Sequence, residues 1–258
     1  MITTSIVNLK GGTGKTTTAA NMATILAEDY GKRVLLIDAD AQANSTALFL
    51  SGQDGNNDLT CLMKEGGYVD DFLYDTAYKS LSILPASINL NDLDLRTAQN
   101  GGEQGYLSAL IDFCAALADD GEFDHVIIDC PPGFTVACIA ALIASDEIIV
   151  PIKLDKFAVT GVRYLLQQVV GLSNSYPKLS IRGGLLTAYY NSPNNHAAAN
   201  LLRDISGVPL FNQVIRRSPK ADESTWADEP VCQFSPQSAA GLDYRKFVAE
   251  YLGEEAGR

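Results

Sequence analysis

Short runs of β-branched and aliphatic residues alternate along the chain with longer stretches of helical character. The runs 33–37 (RVLLI) and 125–128 (HVII) are almost continuously apolar, which is typical of parallel strands buried on both faces. Strands that alternate with helices predict a mostly parallel α/β sheet flanked by helices. The pattern predicts strands at 3–7, 33–37, 81–84, 125–128, 147–152, 181–188 and 213–215, and helices at 16–28, 105–117, 135–144, 159–172, 196–205 and 239–252.

Segment 51–81 does not follow this alternation. It is rich in Gly, Asn and Asp, so we expect a surface insertion of loop and helix there. The chain shows no linker, internal repeat or low-complexity tract. We therefore expect residues 1–258 to form a single domain.

The charge, apolar runs and cysteines of the chain limit which partners and which cell compartments we expect. The 31 acidic and 19 basic residues give a formal net charge of −12, so DNA or an anionic membrane would need a local basic patch. No segment approaches the roughly 18 consecutive apolar residues of a membrane span, and we expect no signal peptide. The five cysteines form no CxxC pair, which favours small buried side chains in a reducing compartment.

The sharpest local pattern is the glycine-rich stretch 6–17 (IVNLKGGTGKTT), between a predicted strand and a predicted helix. Glycines at 11, 12 and 14 permit positive φ and let backbone N–H groups converge on an anion at the helix N-terminus. The following lysine suits β- and γ-phosphates, and the threonine hydroxyl after it suits Mg²⁺. The predicted nucleotide-binding residues are Gly11, Gly12, Thr13, Gly14, Lys15, Thr16 and Thr17.

This loop departs from the general pattern G-x-x-x-x-G-K-[ST], because Leu9 stands where the first glycine would be and a second lysine, Lys10, follows it. This is the deviant Walker A form. Lys10 lies on the strand side of the turn, so it cannot duplicate Lys15. It either contacts phosphate in its own subunit or reaches across a dimer face to the partner's nucleotide; the remaining alternative is a solvated surface lysine.

Three carboxylates follow two of the predicted strands. Asp38 and Asp40 come after the run 33–37, and Asp129 comes after 125–128. Carboxylates at the carboxyl ends of parallel strands face the ligand crevice, so Asp38 and Asp129 are predicted to act near Mg²⁺. The alternative for the first two is that they cap a helix beginning at 44–46. The turn 130–133 (CPPG) is rigid and could sense the γ-phosphate.

Together the motifs LKGGTGKTTTAANMA, VLLIDADAQANST and HVIIDCPPG resemble the ParA/Soj branch of the ParA–MinD superfamily of P-loop ATPases. The resemblance runs from Met1 to about Leu252 and is weakest at 51–81. It implies a doubly wound α/β fold of the deviant Walker A type, with ATP and Mg²⁺ as cofactors. It assigns catalytic roles to Lys10, Lys15 and Asp40, with Asp40 positioning the attacking water. Ala41 replaces the proline of the family's D-x-D-P-Q, which should loosen that loop slightly.

The resemblance also implies a function. It indicates a DNA-partitioning ATPase in which ATP and Mg²⁺ assemble a sandwich homodimer, with Lys10 of each subunit reaching the other's phosphates. Such a dimer binds nonspecific DNA and is stimulated to hydrolyse ATP by a ParB-like partner attached to a plasmid, a chromosome or another cargo. None of these motifs supplies an arginine finger from the chain itself to stabilise the transition state. We therefore expect slow ATP hydrolysis without the partner. The expected location is cytoplasmic and nucleoid-associated.

Segment 215–223 resembles the family's I-P-R-N-x-x-x-x-E, which lies near the adenine and the dimer face. Arg217 matches its arginine and is predicted to contact the nucleotide, whereas Arg216 replaces its proline. With Lys220 these two arginines form the densest basic cluster in an acidic chain, and all three are predicted to bind DNA phosphates. The alternative is a solvated face with ordinary ion pairs.

Other ATPases of this superfamily have three further functions, which are the alternatives for this chain. A MinD-like membrane-associated regulator would need a basic amphipathic C-terminal helix, whereas segment 244–255 resembles a packed face followed by acidic residues. A metabolic ligase of the same fold would need a second substrate pocket, for which no residues stand out. A nitrogenase-reductase-like role would need cysteines in a matching cluster motif. About nine residues precede Lys10 in the glycine-rich stretch, so we also expect no separate operator-binding domain.

Overall fold

The computed structural model describes residues 1–50, 57–100, 104–205 and 208–253. Their centre is a seven-stranded sheet, parallel except for one antiparallel edge strand. The strands are β1 (Ile2–Ile6), β2 (Val34–Asp38), β3 (Tyr74–Asp75), β4 (Leu81–Leu84), β5 (His125–Asp129), β6 (Glu147–Lys153) and β7 (Ser180–Thr187). Their order in the sheet is β3-β4-β2-β5-β1-β6-β7, in which β3 is the antiparallel strand.

Eleven α-helices within the described ranges connect and flank these strands. Two 3₁₀ turns, Val69–Phe72 and Ile88–Leu90, accompany them. The helices are α1 (Lys15–Glu28), α2 (Asn44–Phe49), α3 (Leu59–Glu65), α4 (Asn91–Asn100), α5 (Gln104–Asp120), α6 (Val136–Ala144), α7 (Ala158–Ser173), α8 (Pro193–Ile205), α9 (Pro219–Trp226), α10 (Val231–Phe234) and α11 (Ala239–Leu252).

The sheet is covered on both faces, as the apolar strand runs predict. Leu35 and Ile37 of β2 belong to a core that α5, α6 and α7 share, whereas Val34 and Leu36 belong to a second core with α1 and α11. Successive side chains of a strand point to opposite faces, so a strand that is apolar at every position serves both cores. The predicted doubly wound α/β class is confirmed.

The predicted strand at 213–215 is wrong. The backbone N–H groups of Asn212 and Gln213 donate to the carboxylate of Glu250 in α11 rather than to a neighbouring strand. The segment meets the β7 region through two isolated bridges, Gly184 with Leu210 and Tyr189 with Arg216, and through single backbone hydrogen bonds such as that from the N–H of Ile215 to the carbonyl of Leu186 at 2.8 Å, which do not form a continuous strand. The short helices α9 and α10 were not predicted either, and residues 51–56 of the expected insertion lie outside the described ranges.

The strand order places the ends of several strands beside one another. β1 lies between β5 and β6, and β5 lies between β1 and β2. Asp38, the last residue of β2, is in register with Asp129, which in turn pairs with Ile6 of β1. We call the side where these strands end the carboxyl edge, and the opposite side, where they begin, the amino edge. The loops at the carboxyl edge form the crevice in which α/β sheets bind ligands.

Helix α11 packs its apolar side against the sheet and α1, as the sequence predicted. Its buried residues include Tyr244, Phe247, Val248 and Tyr251. The acidic residues at 254–255 that follow it lie outside the described ranges. In the described part of the chain, no helix combines the length and the apolar character that a membrane crossing requires.

Candidate functional site at the carboxyl edge

The glycine-rich stretch forms a loop of residues 7–14 from the end of β1 to the start of α1, which we call the glycine loop. Gly12 and Gly14 have φ of +68° and +86°, in the region that favours glycine. Gly11 does not adopt the positive φ that glycine permits. Gly11 is exposed instead, and a Cβ there would have no neighbour within 4 Å, so the loop is open on that side.

Lys15 lies across this loop rather than in solvent. Its side chain is buried, and Nζ donates to the carbonyl oxygen of Lys10 at 3.2 Å. The Thr13 hydroxyl donates to the same oxygen at 3.4 Å. The ammonium therefore sits at the centre of the loop, beside the first residues of α1, where the helix N-terminus also favours an anion.

The glycine loop is also held from β7. The hydroxyl of Thr187, the last residue of β7, donates to the carbonyl oxygen of Thr13 at 2.7 Å, and both side chains are buried. In a trans peptide the C=O and the N–H point in opposite directions. Since Thr187 holds this carbonyl on the sheet side, the N–H of Gly14 is directed away from Thr187.

Lys10 pairs with Asp155, an acid of its own chain in the segment that follows β6. The lysine side chain is 43% exposed. The other oxygen of Asp155 accepts from the backbone N–H of Phe157 at 3.0 Å, which fixes the carboxylate. Lys10 is thus an exposed lysine in an ion pair of its own chain, which fits the alternative of a surface lysine; its predicted contact with phosphate stays a prediction.

Asp38 is fully buried, and described neighbours occupy both of its oxygens. Oδ2 accepts from the backbone N–H and the hydroxyl of Thr46 at 2.8 and 2.9 Å, and Oδ1 accepts from the N–H of Asp40 at 3.1 Å. Burial raises the pKa of Asp38 to about 6, although these hydrogen bonds oppose the shift. The alternative interpretation, an acid that caps the first turn of the following helix, therefore describes this residue; its predicted role near Mg²⁺ stays a prediction.

Asp129 is also fully buried, but only one of its oxygens is hydrogen-bonded. The Ser45 hydroxyl donates to Oδ2 at 2.8 Å, whereas Oδ1 has no hydrogen-bond partner within the described residues. Burial, followed by the charge of Asp38, raises the pKa of Asp129 to about 8, and the hydroxyls of Ser45 and Thr16 oppose the rise. An orphaned carboxylate oxygen near a threonine hydroxyl is a donor set that fits a hard divalent cation.

Asp40 diverges from the other two carboxylates. It is 8% exposed, and its Oδ1 accepts from the backbone N–H of Gln42 at 3.0 Å. Asp40 lines a cavity of about 170 Å³ together with Pro131 and Pro132 of the CPPG turn and Asp94 of α4. Its carboxylate is therefore placed beside the turn that follows Asp129, and its predicted role in orienting water stays a prediction.

A larger cavity of about 370 Å³ opens beside the glycine loop. Gly12, Gly14 and Thr17 form one wall, and Arg217 lies on another, with its N–H donating to the carbonyl of Tyr189 at 2.8 Å. The volume lies within the range of small-molecule sites. The other polar lining residues include Lys153, Thr187, Tyr190, Ser218 and Asp222, of which sequence reasoning identified none.

The predicted basic cluster is largely paired within the chain. Arg216 forms a two-pronged contact with Asp243, with both distances 2.8 Å, and Lys220 pairs with Glu223. Among the described acids none pairs with Arg217, which is exposed. The alternative interpretation, ordinary ion pairs on a solvated face, thus describes two of the three residues.

The amino-acid sequence is similar to a family model and to a known protein along most of its length. The chain matches a family model described as "AAA domain" over residues 1–181. It is 32% identical to the chromosome partitioning protein ParA of Caulobacter vibrioides over 98% of this chain and 95% of that protein.

Two solved structures share the fold along nearly the whole chain. Cobyrinic acid a,c-diamide synthase from Mycobacterium smegmatis, with bound ATP analogue and magnesium, is 27% identical, with a TM-score of 0.81 over 98% of this chain and 94% of that one. The cell division ATPase MinD of Pyrococcus furiosus is also 27% identical, with a TM-score of 0.76 over 98% of both chains.

Proposed function

Because the chain belongs to the ParA family of P-loop ATPases, we propose that it is a DNA-partitioning ATPase that binds ATP with Mg²⁺ and assembles as a dimer. The dimer binds nonspecific DNA, and a ParB-like partner on a plasmid, a chromosome or another cargo stimulates its slow hydrolysis. The observation that carries this proposal is the placement of two lysines, Lys10 and Lys15, around one glycine loop that lies beside the orphaned oxygen of Asp129.

In this proposal the phosphates lie in the glycine loop, where Lys15 exchanges the carbonyl of Lys10 for phosphate oxygens. The hydroxyl of Thr16 and the carboxylate of Asp129 would hold Mg²⁺, which would neutralise phosphate charge when bound. Asp38 orders the loop that carries Asp40, through its contact with the Asp40 N–H. The nucleoside lies in the 370 Å³ cavity, against Arg217.

Lys10 must leave Asp155 to act across the dimer. Its side chain is partly exposed, so it can turn without unpacking a core, and an exposed ion pair holds it by only about 1 kcal/mol or less. A triphosphate on a facing subunit offers more negative charge than one carboxylate. We therefore expect the Lys10–Asp155 pair to be replaced when the ATP-bound dimer forms.

Light scattering with ATP and Mg²⁺ tests the role of Lys10. Lys10→Ala should remain monomeric at protein concentrations where the unchanged chain dimerises. The matched control is Lys178→Ala, which removes an exposed lysine near the amino edge, where it lies 3.5 Å from Asp146. Full dimerisation of Lys10→Ala would remove the cross-subunit role.

DNA binding is tested by gel shift with ATP, with ADP and without nucleotide, over a series of salt concentrations. We expect sequence-independent binding only with ATP, weakening steeply as salt rises. Arg217→Ala should lower the salt slope by about one unit for each DNA phosphate that the arginine neutralises, and its nucleotide affinity is measured in parallel because Arg217 lines the cavity. Arg216→Ala and Lys220→Ala should have smaller effects, since both cations already have acidic partners. Equal binding without nucleotide would contradict the proposal.

The alternative function is a MinD-like regulator at a membrane. The apolar side of α11 is occupied by packing against α1, which leaves that side unavailable to lipid. We expect no pelleting with anionic liposomes in the presence of ATP. Pelleting that depends on ATP would favour the alternative.

A further inference from the structure

The Ser45 hydroxyl contacts a group on which the proposed chemistry depends. Ser45 is the second residue of α2, and its side chain is fully buried. Its Oγ donates a 2.8 Å hydrogen bond to Oδ2 of Asp129, although the two residues are 84 positions apart in the sequence. Asp129 is equally buried, so water does not compete for this contact.

This contact makes the two oxygens of Asp129 different. Oδ2 is held by Ser45, whereas Oδ1 has no hydrogen-bond partner among the residues described. A carboxylate with one oxygen fixed cannot turn about its Cβ–Cγ bond without breaking that hydrogen bond. The orphaned Oδ1 therefore keeps one direction, and it is the oxygen left for a cation.

Ser45 is itself held in place by its neighbour in α2. The N–H and the hydroxyl of Thr46 donate to Asp38 at the end of β2, and the Thr46 hydroxyl accepts from the N–H of Ala86 at 2.8 Å. The first turn of α2 is thus tied to the end of β2 and to the segment that follows β4. Ser45 ties it to the end of β5 as well. The backbone that carries the serine hydroxyl is therefore held in one position.

We propose that Ser45 is a positioning residue for Mg²⁺: its hydroxyl fixes one oxygen of Asp129 and thereby presents the other toward the cation beside Thr16. The inference rests on the proposed binding of ATP with Mg²⁺ and adds to it a residue that touches neither ligand. Hydrogen-bond partners of metal-binding groups typically change metal affinity ten- to a hundredfold when they are removed.

The test is binding of a fluorescent ATP analogue at increasing Mg²⁺ concentration, with no hydrolysis required. In Ser45→Ala we expect the half-saturating Mg²⁺ concentration to rise about 10- to 100-fold. Affinity for the analogue in EDTA should stay within about twofold, because the substitution removes no group that touches the nucleotide. Thermal unfolding without ligand shows whether the variant is folded.

The matched control is Ser145→Ala. Ser145 is also buried, and its hydroxyl bonds to the carbonyl of Ala141 at 2.7 Å and to the Ser5 hydroxyl at 2.8 Å, away from the carboxyl edge. This variant should lower the melting temperature but leave the Mg²⁺ dependence in place. If Ser45→Ala behaves in the same way, Ser45 only satisfies a buried carboxylate and the inference is wrong.

The wild-type protein separates this inference from the proposal on which it rests. If its nucleotide affinity did not respond to Mg²⁺ at all, both the metal site and the role of Ser45 would be wrong. If it did respond and Ser45→Ala shifted the response by less than about twofold, the inference about Ser45 alone would fail.

Discussion

Strand β5 has a carboxylate at each end, and the two have opposite surroundings. Asp124 precedes the strand at the amino edge, where the Arg33 side chain reaches both of its oxygens, at 2.7 and 3.2 Å. This pairing holds the pKa of Asp124 well below its usual range. Asp129 ends the strand at the carboxyl edge, where burial and the charge of Asp38 raise its pKa to about 8. One strand therefore carries one carboxylate that favours folding and one that opposes it.

The rest of the two edges shows the same contrast. At the amino edge Glu147 lies 3.8 Å from Arg182 and accepts from the Thr4 hydroxyl, and Asp146 accepts from the backbone N–H of Thr3. At the carboxyl edge none of the three acids Asp38, Asp40 and Asp129 forms an ion pair within the described ranges. Buried carboxylates without cations are costly for the empty protein, so the carboxyl edge is arranged for a charged ligand.

Replacing Asp129 by asparagine should have the largest effect, and in two directions. We expect ATP hydrolysis to fall on the order of 100-fold, because a preorganised charge at the metal is lost. We also expect the ligand-free protein to become more stable by about 1–3 kcal/mol at pH 7, since the Asp129 carboxyl is ionised in the unfolded chain and its burial raises its pKa to about 8, a cost that the amide does not carry. Steady-state ATPase assays and urea unfolding measure the two effects. Loss of stability together with activity would mean that Asp129 supports the fold.

Thr187→Val tests whether ATP binding at the carboxyl edge also depends on a hydrogen bond between uncharged groups. The variant leaves the buried carbonyl of Thr13 without its 2.7 Å hydrogen bond, which costs about 1–3 kcal/mol. Because this carbonyl belongs to the same peptide as the Gly14 N–H, we expect the Kd for ATP to rise about tenfold. Thr187→Ser keeps the hydroxyl and should bind ATP like the wild type. Weak binding by the serine variant would instead implicate the missing methyl group.

The contrast between the edges was partly visible in the sequence. Apolar runs that end in Asp38 and Asp129, and a glycine-rich stretch that ends in Lys15, are local patterns, and the structure places them together at the carboxyl edge. These patterns need only the rule that neighbouring parallel strands end at the same side.

The partners of these residues were not visible, because they are distant in sequence. Ser45 reaches Asp129 across 84 positions, Lys10 reaches Asp155 across 145, and Thr187 reaches Thr13 across 174. No spacing rule connects such pairs. Only the order of the strands in the sheet brings them into contact.

His125, the first residue of β5, gives a pH test of the amino edge. Burial, with the nearby charges of Lys32 and the N-terminus, lowers its pKa, although Asp124 opposes this. The unfolded chain therefore takes up this proton first, so His125 contributes a decrease in the free energy of unfolding as the pH falls below about 6.5, opposite in sign to the contribution of the buried acids Asp38 and Asp129. The slope contributed by one histidine cannot exceed about 1.4 kcal/mol per pH unit.

Urea unfolding between pH 5 and 8, the range in which histidine titrates, measures this slope. His125→Gln should remove the contribution of His125 to the slope in that interval. The control is His196→Gln, which removes an exposed histidine of α8 and should leave the slope unchanged. If His125→Gln kept the wild-type slope, His125 would not titrate differently in the folded and unfolded chain, and the prediction would be wrong.

Asp124→Asn should give the smallest effect and the sharpest contrast with Asp129→Asn. The Arg33–Asp124 pair is partly exposed, with 54% and 37% of the side chains accessible, so its loss should cost less than about 1 kcal/mol at pH 7. Since the pKa of Asp124 is lowered on folding, its stabilisation is complete above about pH 4 and disappears as the pH falls further. ATPase activity should remain within about twofold of the wild type, because the amino edge lies away from the glycine loop. Urea unfolding at pH 7 and pH 3 checks the first part: a variant that is more stable at pH 7, as expected for Asp129→Asn, would mean that the two ends of β5 do not differ in the way their partners indicate.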